Sequence, residues 1–336
     1  MAAKRVTLAD VAAEANVSMS SVSNVIRNQP HVRDSVRQRV NDAIQKLAYR
    51  PLAIGRNLKS GSTGQVLLAI PNFAQPYFAE LARDAVAAAA ERGMTLVVQQ
   101  TDNDLERERA VADSWNLGTA DGLVFSPSTI SDEDIEVRRR GMPVVLLGEH
   151  SRLTTVDRVR IASVDVARLA VEHLIGRGCR QIVMLGHKDT GDSYVVSERE
   201  EGCRVALEAH GLEPPMSAGE VADWTRRDGE RAMDEVLEQG LRFDGVFAMN
   251  DLLALGALRS LRRHGRRVPT DVAVVGIDDI EESSYSEPTL TTVAIDRDAM
   301  VRYAFDLLAR RIEDPDLPCT VLDAPYRLVE RDSSAR

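Results

Sequence analysis

The sequence predicts a small all-α unit at the N-terminus and, after it, a much larger α/β body of two lobes, each a parallel sheet with flanking helices. Three observations carry that expectation. Between residues 7 and 48 apolar side chains recur at helical spacing in three short runs. From Gln65 onward short apolar strands alternate with longer amphipathic stretches, the order of repeated β-α-β units. Charge is also partitioned. Residues 1–61 carry ten Lys and Arg against four Asp and Glu, a net of +6. The remainder holds 32 against 48, a net of −16, within a chain of 336 residues and total charge −10. A basic head on an acidic body concentrates affinity for polyanions at one end.

In the head, Thr7 caps a first helix and Asp10 completes a capping box. Leu8, Val11, Ala12 and Ala15 then form one apolar face. Asn16 and Val17 make a short turn, and Ser18 caps a second helix from Met19 to about Arg27. Val22, Val25 and Ile26 face inward, while Met19, Ser20, Ser23, Asn24 and Arg27 lie on the other side. A third helix, begun by Asp34 or Ser35, aligns Val36, Val40, Ile44 and Leu47. Such a set reads as a helix-turn-helix, the minimum that buries a core and leaves one helix free for a DNA groove. On spacing alone, a small helical domain with solvated charges is the competing reading.

Tyr49-Arg50-Pro51 ends the third helix, because the residue before proline avoids the helical region. Pro51 can open a short helix from Leu52 to Lys59, followed by the joint Gly61-Ser62-Thr63-Gly64. About eight residues that include Gly55 do not hold a helix alone in water, so without DNA this stretch is a linker. The expected organisation is a DNA-binding headpiece at 1–50, a hinge at 51–61 and a two-lobed binding and dimerisation domain at 62–336.

In the body, strands are expected at Val66–Ile70, Thr95–Gln99, Gly122–Ser126, Val144–Leu147, Ile182–Leu185, Gly245–Met249, Val272–Ile277 and Tyr326–Val329. Helices are expected at Phe78–Arg92, Val166–Arg177, Glu198–His210, Arg226–Gln239 and Leu252–His264, among others. Parallel open sheets bind ligands at the carboxyl ends of their strands, and two lobes make the cleft between them the site.

The residues also carry a resemblance. Val6–Ala12, Asn16-Val17-Ser18, Val22–Ile26, Val36–Val40 and Leu47–Pro51 resemble the headpiece of the lactose-repressor/galactose-repressor (LacI/GalR) family. Pro76-Tyr77-Phe78, Asp121-Gly122, His173-Leu174, Arg199 with Gly202, Asn250-Asp251 with Ala254-Leu255-Gly256, Val275–Asp279 and Pro288–Val293 extend the resemblance over nearly the whole chain. It implies a periplasmic-binding-protein-like effector domain and a regulator, a repressor, that binds a palindromic operator in double-stranded DNA as a homodimer. By resemblance Met19, Ser20 and Asn24 read base edges in the major groove. Thr7, Ser18, Ser21, Ser23, Arg27 and His31 lie near phosphates or flanking bases, and Leu8 and Tyr49 belong to the same interface. Leu58 matches the leucine that wedges into the central base step, with Lys59 beside it toward the backbone. The family usually has Arg where Asn24 stands, Asn where Leu52 stands and Ala where Gly55 stands. Asn pairs best with adenine, so an adenine or relaxed preference is expected opposite Asn24. The two hinge departures weaken the hinge helix. In the body, residues that match the family's effector contacts lie at the expected strand ends: Arg199, Asn250 and Asp278 as polar groups, Trp224 as a ring face, Phe73, Tyr77 and Phe78 on the first lobe's side (Tyr77 and Phe78 as mixed core and pocket), and Glu149 as an added carboxylate. That polar set with a single Trp platform suits a sugar better than a nucleobase, and Ser193 stands near where purine-binding relatives carry a second Arg.

Other classes fit less well. No P-loop, strand-anchored GxGxxG, HExxH or GxSxG is present, so an enzyme is not expected, and no cofactor is implied. Asp102-Asn103-Asp104 reads as a helix N-terminus, and Asp278, Asp279, Glu281 and Glu282 as a solvated loop, rather than as metal or acid–base clusters. Cys179, Cys203 and Cys319 show neither a disulfide framework nor zinc-ligand spacing. No apolar run is long enough for a membrane span, and the start resembles no signal peptide, so cytoplasm is the expected compartment. A ligand-binding protein for transport or sensing would share the body but have no use for the basic head.

Overall fold

The computed structural model describes residues 6–26, 29–49, 62–113, 119–139, 141–187, 194–218, 221 and 223–336. The chain divides into two compact units, Met1–Thr63 and Gly64–Arg336. Expectations for Arg27 and for the hinge residues Arg50, Pro51, Leu52, Gly55, Leu58 and Lys59 lie outside the described residues, as does Ser193.

The first unit holds α1 (Leu8–Ala15), α2 (Met19–Ile26) and α3 (Asp34–Lys46). Thr7 Oγ1 accepts the Asp10 N–H at 3.3 Å, and the Thr7 N–H donates to Asp10 Oδ2 at 2.8 Å, a reciprocal capping box. Asn16, at φ 51°, takes the left-handed conformation that ends α1 and turns the chain toward α2. Ser18 Oγ accepts the Ser21 N–H at 3.2 Å and so caps the new helix. Val11, Val22 and Val40 are fully buried where the three helices meet, with Ala12, Ala15, Val25 and Ala43 around them. Leu8, Ile26, Val36, Ile44, Leu47 and Tyr49 pack against this cluster from outside.

The second unit contains two six-stranded sheets. The first lobe is built from β1 (Gln65–Ile70), α4 (Pro76–Glu91), β2 (Thr95–Gln100), α5 (Leu105–Asp113), β3 (Gly122–Phe125), α6 (Asp132–Arg138), β4 (Val144–Leu147) and β5 (Asp157–Arg160). The chain then enters the second lobe through α7 (Ser163–Gly176), β6 (Ile182–Leu185), α8 (Tyr194–Ala209), β7 (Met216–Ala218) and α9 (Arg226–Glu238). It continues there with β8 (Gly245–Ala248), α10 (Asp251–Arg263), β9 (Ala273–Asp278), α11 (Glu281–Tyr285) and β10 (Thr291–Ile295). Next α12 (Arg297–Glu313) packs on α4 and on β3, β4 and β5, and β11 (Val321–Asp323) joins the edge of the first sheet. Finally β12 (Tyr326–Val329) returns to the second. The chain therefore passes between lobes three times, after β5, after β10 and after β11.

The first sheet runs β11-β5-β4-β3-β1-β2, with every pairing parallel. The second runs β12-β10-β9-β8-β6-β7, parallel except for β12 against β10. Strands β3, β4, β6, β8 and β9 are buried along their whole length, which is why they read as unbroken apolar runs. In the second lobe Gly229 on α9 and Gly256 on α10 let two helix backbones touch. A Cβ at Gly256 would stand 2.1 Å from the Arg226 carbonyl oxygen, and one at Gly229 would stand 2.2 Å from that of Leu253.

The strands read from apolar runs are present, with ends shifted by no more than a residue. β5, β7, β10 and β11 are additional. β5 reads Asp-Arg-Val-Arg and escapes an apolar scan because its buried charge is paired: Asp157 Oδ2 accepts from Arg311 Nε at 2.9 Å. β10 begins with Thr291 and Thr292, fully buried but hydrogen-bonded. Asp104 does cap α5, accepting the Arg107 N–H at 2.9 Å. The run from Asp278 to Glu282 is not a solvated loop. Asp278 ends β9 in a buried position, Asp279 pairs with Arg331 at 2.6 Å, and Glu281 and Glu282 open α11.

Candidate functional site

A cleft of about 370 Å³ lies at the carboxyl ends of the strands in the second unit. Seven of the eight expected ligand residues line it: Tyr77, Phe78, Glu149, Arg199, Trp224, Asn250 and Asp278. Phe73 does not. It stands 43 % exposed on the loop before α4, its N–H bonded to Gln100 Oε1 at 3.0 Å, and it is absent from the lining. Being aromatic and close in sequence to Tyr77 was not enough to bring it in: of the segment around it, Pro71, Gln75, Tyr77 and Phe78 line the cleft, and Pro76 opens the helix that carries the two aromatics there.

Each polar side chain is placed by a local device. Asn250 is the N-cap of α10, just beyond β8. Its Oδ1 accepts the Leu253 N–H at 2.9 Å and its Nδ2 donates to the Trp224 carbonyl at 3.2 Å. An amide has two donors and two acceptor positions, so half of its capacity is left uncommitted at the cleft wall. Trp224 is held at φ 55°, and Asp278 and Asp279 at φ 121° and 54°. Non-glycine residues there cost roughly 1–3 kcal/mol each and gather where structure is used to aim a side chain. Arg199, from α8, is buried. Its Nε donates to Ser163 Oγ at 3.3 Å, its Nη1 to the Met249 carbonyl, and its Nη2 lies 3.6 Å from Glu149 Oε1. The guanidinium also lies 5.4 Å from the centre of the Trp224 ring, a cation–π contact that covers one ring face.

Burial dominates the electrostatics. It holds the Asp278 carboxyl well above the usual carboxylate range; Arg199 and Arg297 pull it back, and Asp251 and Glu149 push it further up. Burial likewise raises the Tyr77 phenol, with Asp278 and Glu149 adding to the effect. Behind the cleft Asp251 is fully buried and pushed up to about 7, chiefly by burial. It accepts from Thr292 Oγ1 at 2.6 Å, Ser283 Oγ at 2.7 Å and the Ile280 N–H at 3.2 Å, tying α10 to β10 and α11. Gly276 makes room for it, since a Cβ there would meet Asp251 Oδ1 at 2.2 Å.

One positioning group escaped the sequence reading. Glu108 on α5 is fully buried, and its carboxylate accepts from the backbone N–H groups of Ser128, Thr129 and Ile130 at 2.9, 2.9 and 2.8 Å. The Ser128 and Thr129 hydroxyls donate to it as well, at 2.5 and 3.1 Å. Ser126, Pro127, Ser128 and Thr129 line the cleft, so Glu108 fixes one wall. In sequence it is one of several charges in Leu-Glu-Arg-Glu-Arg, and nothing marks it as the buried one. Two bridges also join the lobes beside the cleft: Gln75 Nε2 donates to the Asp223 carbonyl at 3.2 Å, and Arg152 lies 3.6 Å from Glu198 and 4.4 Å from the centre of the Tyr194 ring.

In the first unit Met19 is 56 % exposed at the start of α2, with Ser18, Ser20 and His31 also exposed and Ser21, Ser23 and Asn24 half-buried. The hydroxyl of Ser18 lies 2.7 and 2.9 Å from those of Ser20 and Ser21. Leu8 and Tyr49 are half-buried against the core, and the Thr7 side chain is engaged by its capping box. α2 therefore presents short polar groups and one flexible apolar side chain, a surface able to enter a groove.

Comparison with known proteins agrees with both units. The profile of bacterial regulatory proteins of the lacI family matches residues 7–51, and that of the periplasmic binding protein-like domain matches residues 171–334. The ribose operon repressor of Escherichia coli (strain K12) is 32% identical over 332 residues, 98% of this chain and 99% of that protein. The lac repressor dimer bound to operator and the anti-inducer ONPF superimposes with a TM-score of 0.85 at 26% identity, covering 98% of this chain and 99% of that one. A complex of the transcriptional regulator CelR with cellobiose gives 0.70 at 31% identity, covering 98% and 100%. These relatives are repressors and regulators, not enzymes. The chain belongs to the LacI family of bacterial regulatory proteins: a DNA-binding repressor with a helix-turn-helix headpiece, regulated by a small-molecule effector of its periplasmic-binding-protein-like domain.

Proposed function

We propose that the effector is a sugar bound in the cleft between the lobes, and that the repressor reads a palindromic operator as a homodimer. The observation that carries the sugar reading is the single Trp224 ring set among buried Arg199, Glu149, Asn250 and Asp278. A ring face against C–H groups and a circle of fixed polar groups against hydroxyls suit a polyol. A planar base would call for stacking on both sides, and Arg199 already occupies one side of the indole. The cellobiose complex of a relative and the ribose operon of another point the same way.

On DNA, Met19, Ser20 and Asn24 are the proposed base-reading residues. Thr7, Leu8, Ser18, Ser21, Ser23, Arg27, His31 and Tyr49 position the headpiece, and Leu58 and Lys59 engage the minor groove. One headpiece contacts too few bases for specificity, so two are needed on a two-fold site. The lac repressor relative is a dimer on its operator. Among the described residues no helix is long and apolar enough to cross a membrane. A protein that acts on operators works beside the chromosome, so the cytoplasm is the proposed compartment. Whichever lobe arrangement the effector favours, its influence on DNA affinity and the influence of DNA on effector affinity are equal.

Calorimetric titration of the full chain with neutral sugars and with purine bases tests the effector. A sugar should bind, and Trp224→Ala should weaken it at least tenfold. Binding of a purine with no sugar bound would refute the reading.

A further inference from the structure

The polar groups of the cleft differ in how far the protein already satisfies them. Arg199 is the one arginine or lysine among the described residues that line the cleft, and its charge is committed. Glu149 stands 3.6 Å from it and takes a hydrogen bond from Ser163, so this cation and this carboxylate neutralise each other. The guanidinium bonds to Ser163 and Met249 use two of its five N–H groups and leave three to share between the Glu149 contact and an occupant. His150 donates its Nε2 proton to the Ile130 carbonyl at 2.9 Å, and the Ser128 and Thr129 hydroxyls donate to Glu108. Against one neutralised cation stand two more carboxyls, Asp223 and Asp278.

Asp278 and Trp224, both of which line the cleft, each hold a buried polar group with no hydrogen-bond partner among the described residues. The Asp278 carboxyl is more than nine-tenths buried and accepts no hydrogen bond from the protein, although a strained backbone at φ 121° aims it there. The indole N–H of Trp224 is buried without an acceptor. A buried polar group left unpaired costs about 1–3 kcal/mol, so the Asp278 carboxyl is a group an occupant would satisfy.

We infer that the effector is an uncharged or amine-bearing polyol, and that phosphorylated and carboxylated sugars are excluded from this cleft. The inference rests on the sugar reading above and narrows it. A hydroxyl or ammonium donates to Asp278, and the sugar's C–H face lies against the Trp224 ring. A phosphate or carboxylate would be desolvated beside Asp278 and Glu149 with no free cation to meet it, and a buried unpaired anion is among the least tolerated arrangements in a protein. The elevated Asp278 carboxyl agrees with this, since the site already resists one negative charge.

The test is calorimetry on the full chain with matched sets of probes: ribose and ribose 5-phosphate; cellobiose; glucose, glucose 6-phosphate, glucuronate and glucosamine. For the sugar that binds, the neutral or amino form should bind at least 100-fold tighter than its phosphate or carboxylate counterpart. Asp278→Asn should weaken the neutral form at least tenfold and shrink that gap, with operator binding as the control for folding. An anionic sugar that binds as tightly as its neutral counterpart overturns the inference and leaves the sugar reading intact. Failure of every sugar, with a purine base bound instead, overturns both. A gap unchanged in Asp278→Asn overturns the role given to that carboxyl.

Discussion

Replacing Glu108 with Gln should loosen one wall of the cleft without touching the cleft itself. Of the two carboxylate oxygens, Oε2 accepts from the Thr129 N–H, the Ile130 N–H and the Thr129 hydroxyl. Oε1 accepts from the Ser128 N–H and hydroxyl. The best placement of a Gln amide keeps its oxygen at the first position and turns its NH2 to the second. There the Ser128 hydroxyl can rotate to accept, but the Ser128 N–H cannot, and it is left facing another donor. One buried backbone donor unpaired and the loss of charge assistance amount to about 2 kcal/mol. Glu108→Ala, which strands all three N–H groups, should cost about 3–5 kcal/mol. Native-state hydrogen exchange reads the effect where it occurs. Protection of the Ser128, Thr129 and Ile130 amides should fall roughly 30-fold in Glu108→Gln and further in Glu108→Ala. Effector affinity should fall too, because Ser128 and Thr129 line the cleft. Unchanged protection at these amides in Glu108→Ala would refute the reasoning.

Three further outcomes are expected. Gly256→Ala should destabilise the second lobe by about 2 kcal/mol or more in urea unfolding, because its Cβ has nowhere to go between α10 and the Arg226 carbonyl; a change under about 0.5 kcal/mol would show that the crossing gives way. Asp251, with a folded pKa pushed up to about 7 and an unfolded value near 3.9, makes folding take up a proton. Its contribution is complete below about pH 4 and is lost as pH rises through about 7, so the stability of wild type relative to Asp251→Asn should grow between pH 8 and pH 5; a flat or opposite trend in urea midpoints counts against it. At the half-site base opposite Asn24, operators with adenine should bind as well as or better than those with guanine, and restoring Arg by Asn24→Arg should shift the preference to guanine. A strict guanine requirement in base-by-base substitution of the wild-type operator contradicts that.

What the sequence showed and concealed follows from how each residue is stabilised. Helices α1 to α3 are legible because their caps are local: Thr7 with Asp10, the left-handed Asn16, Ser18 with Ser21. Strands buried on both faces are legible as apolar runs. β5 and β10 are not, because Asp157 and Thr292 are buried through partners far away in the chain, Arg311 and Asp251. In the cleft, Asn250 and Asp278 were placed by the family resemblance together with their positions at strand ends, which the strand order made legible. Phe73 was misplaced because only the turn into α4 decides which aromatic faces inward. Glu108 went unseen because its five donors all come from a loop about twenty residues downstream.

The central claim is that a basic headpiece reads DNA under the control of a ligand in the acidic body. Selection of duplexes from a random library by the full chain, beside a version lacking residues 1–63, tests it most directly. The expected result is a short palindrome with a pyrimidine–purine centre, lost with the headpiece, whose affinity changes when the sugar found by calorimetry is added. No enriched sequence at moderate salt, with or without that sugar, would contradict it.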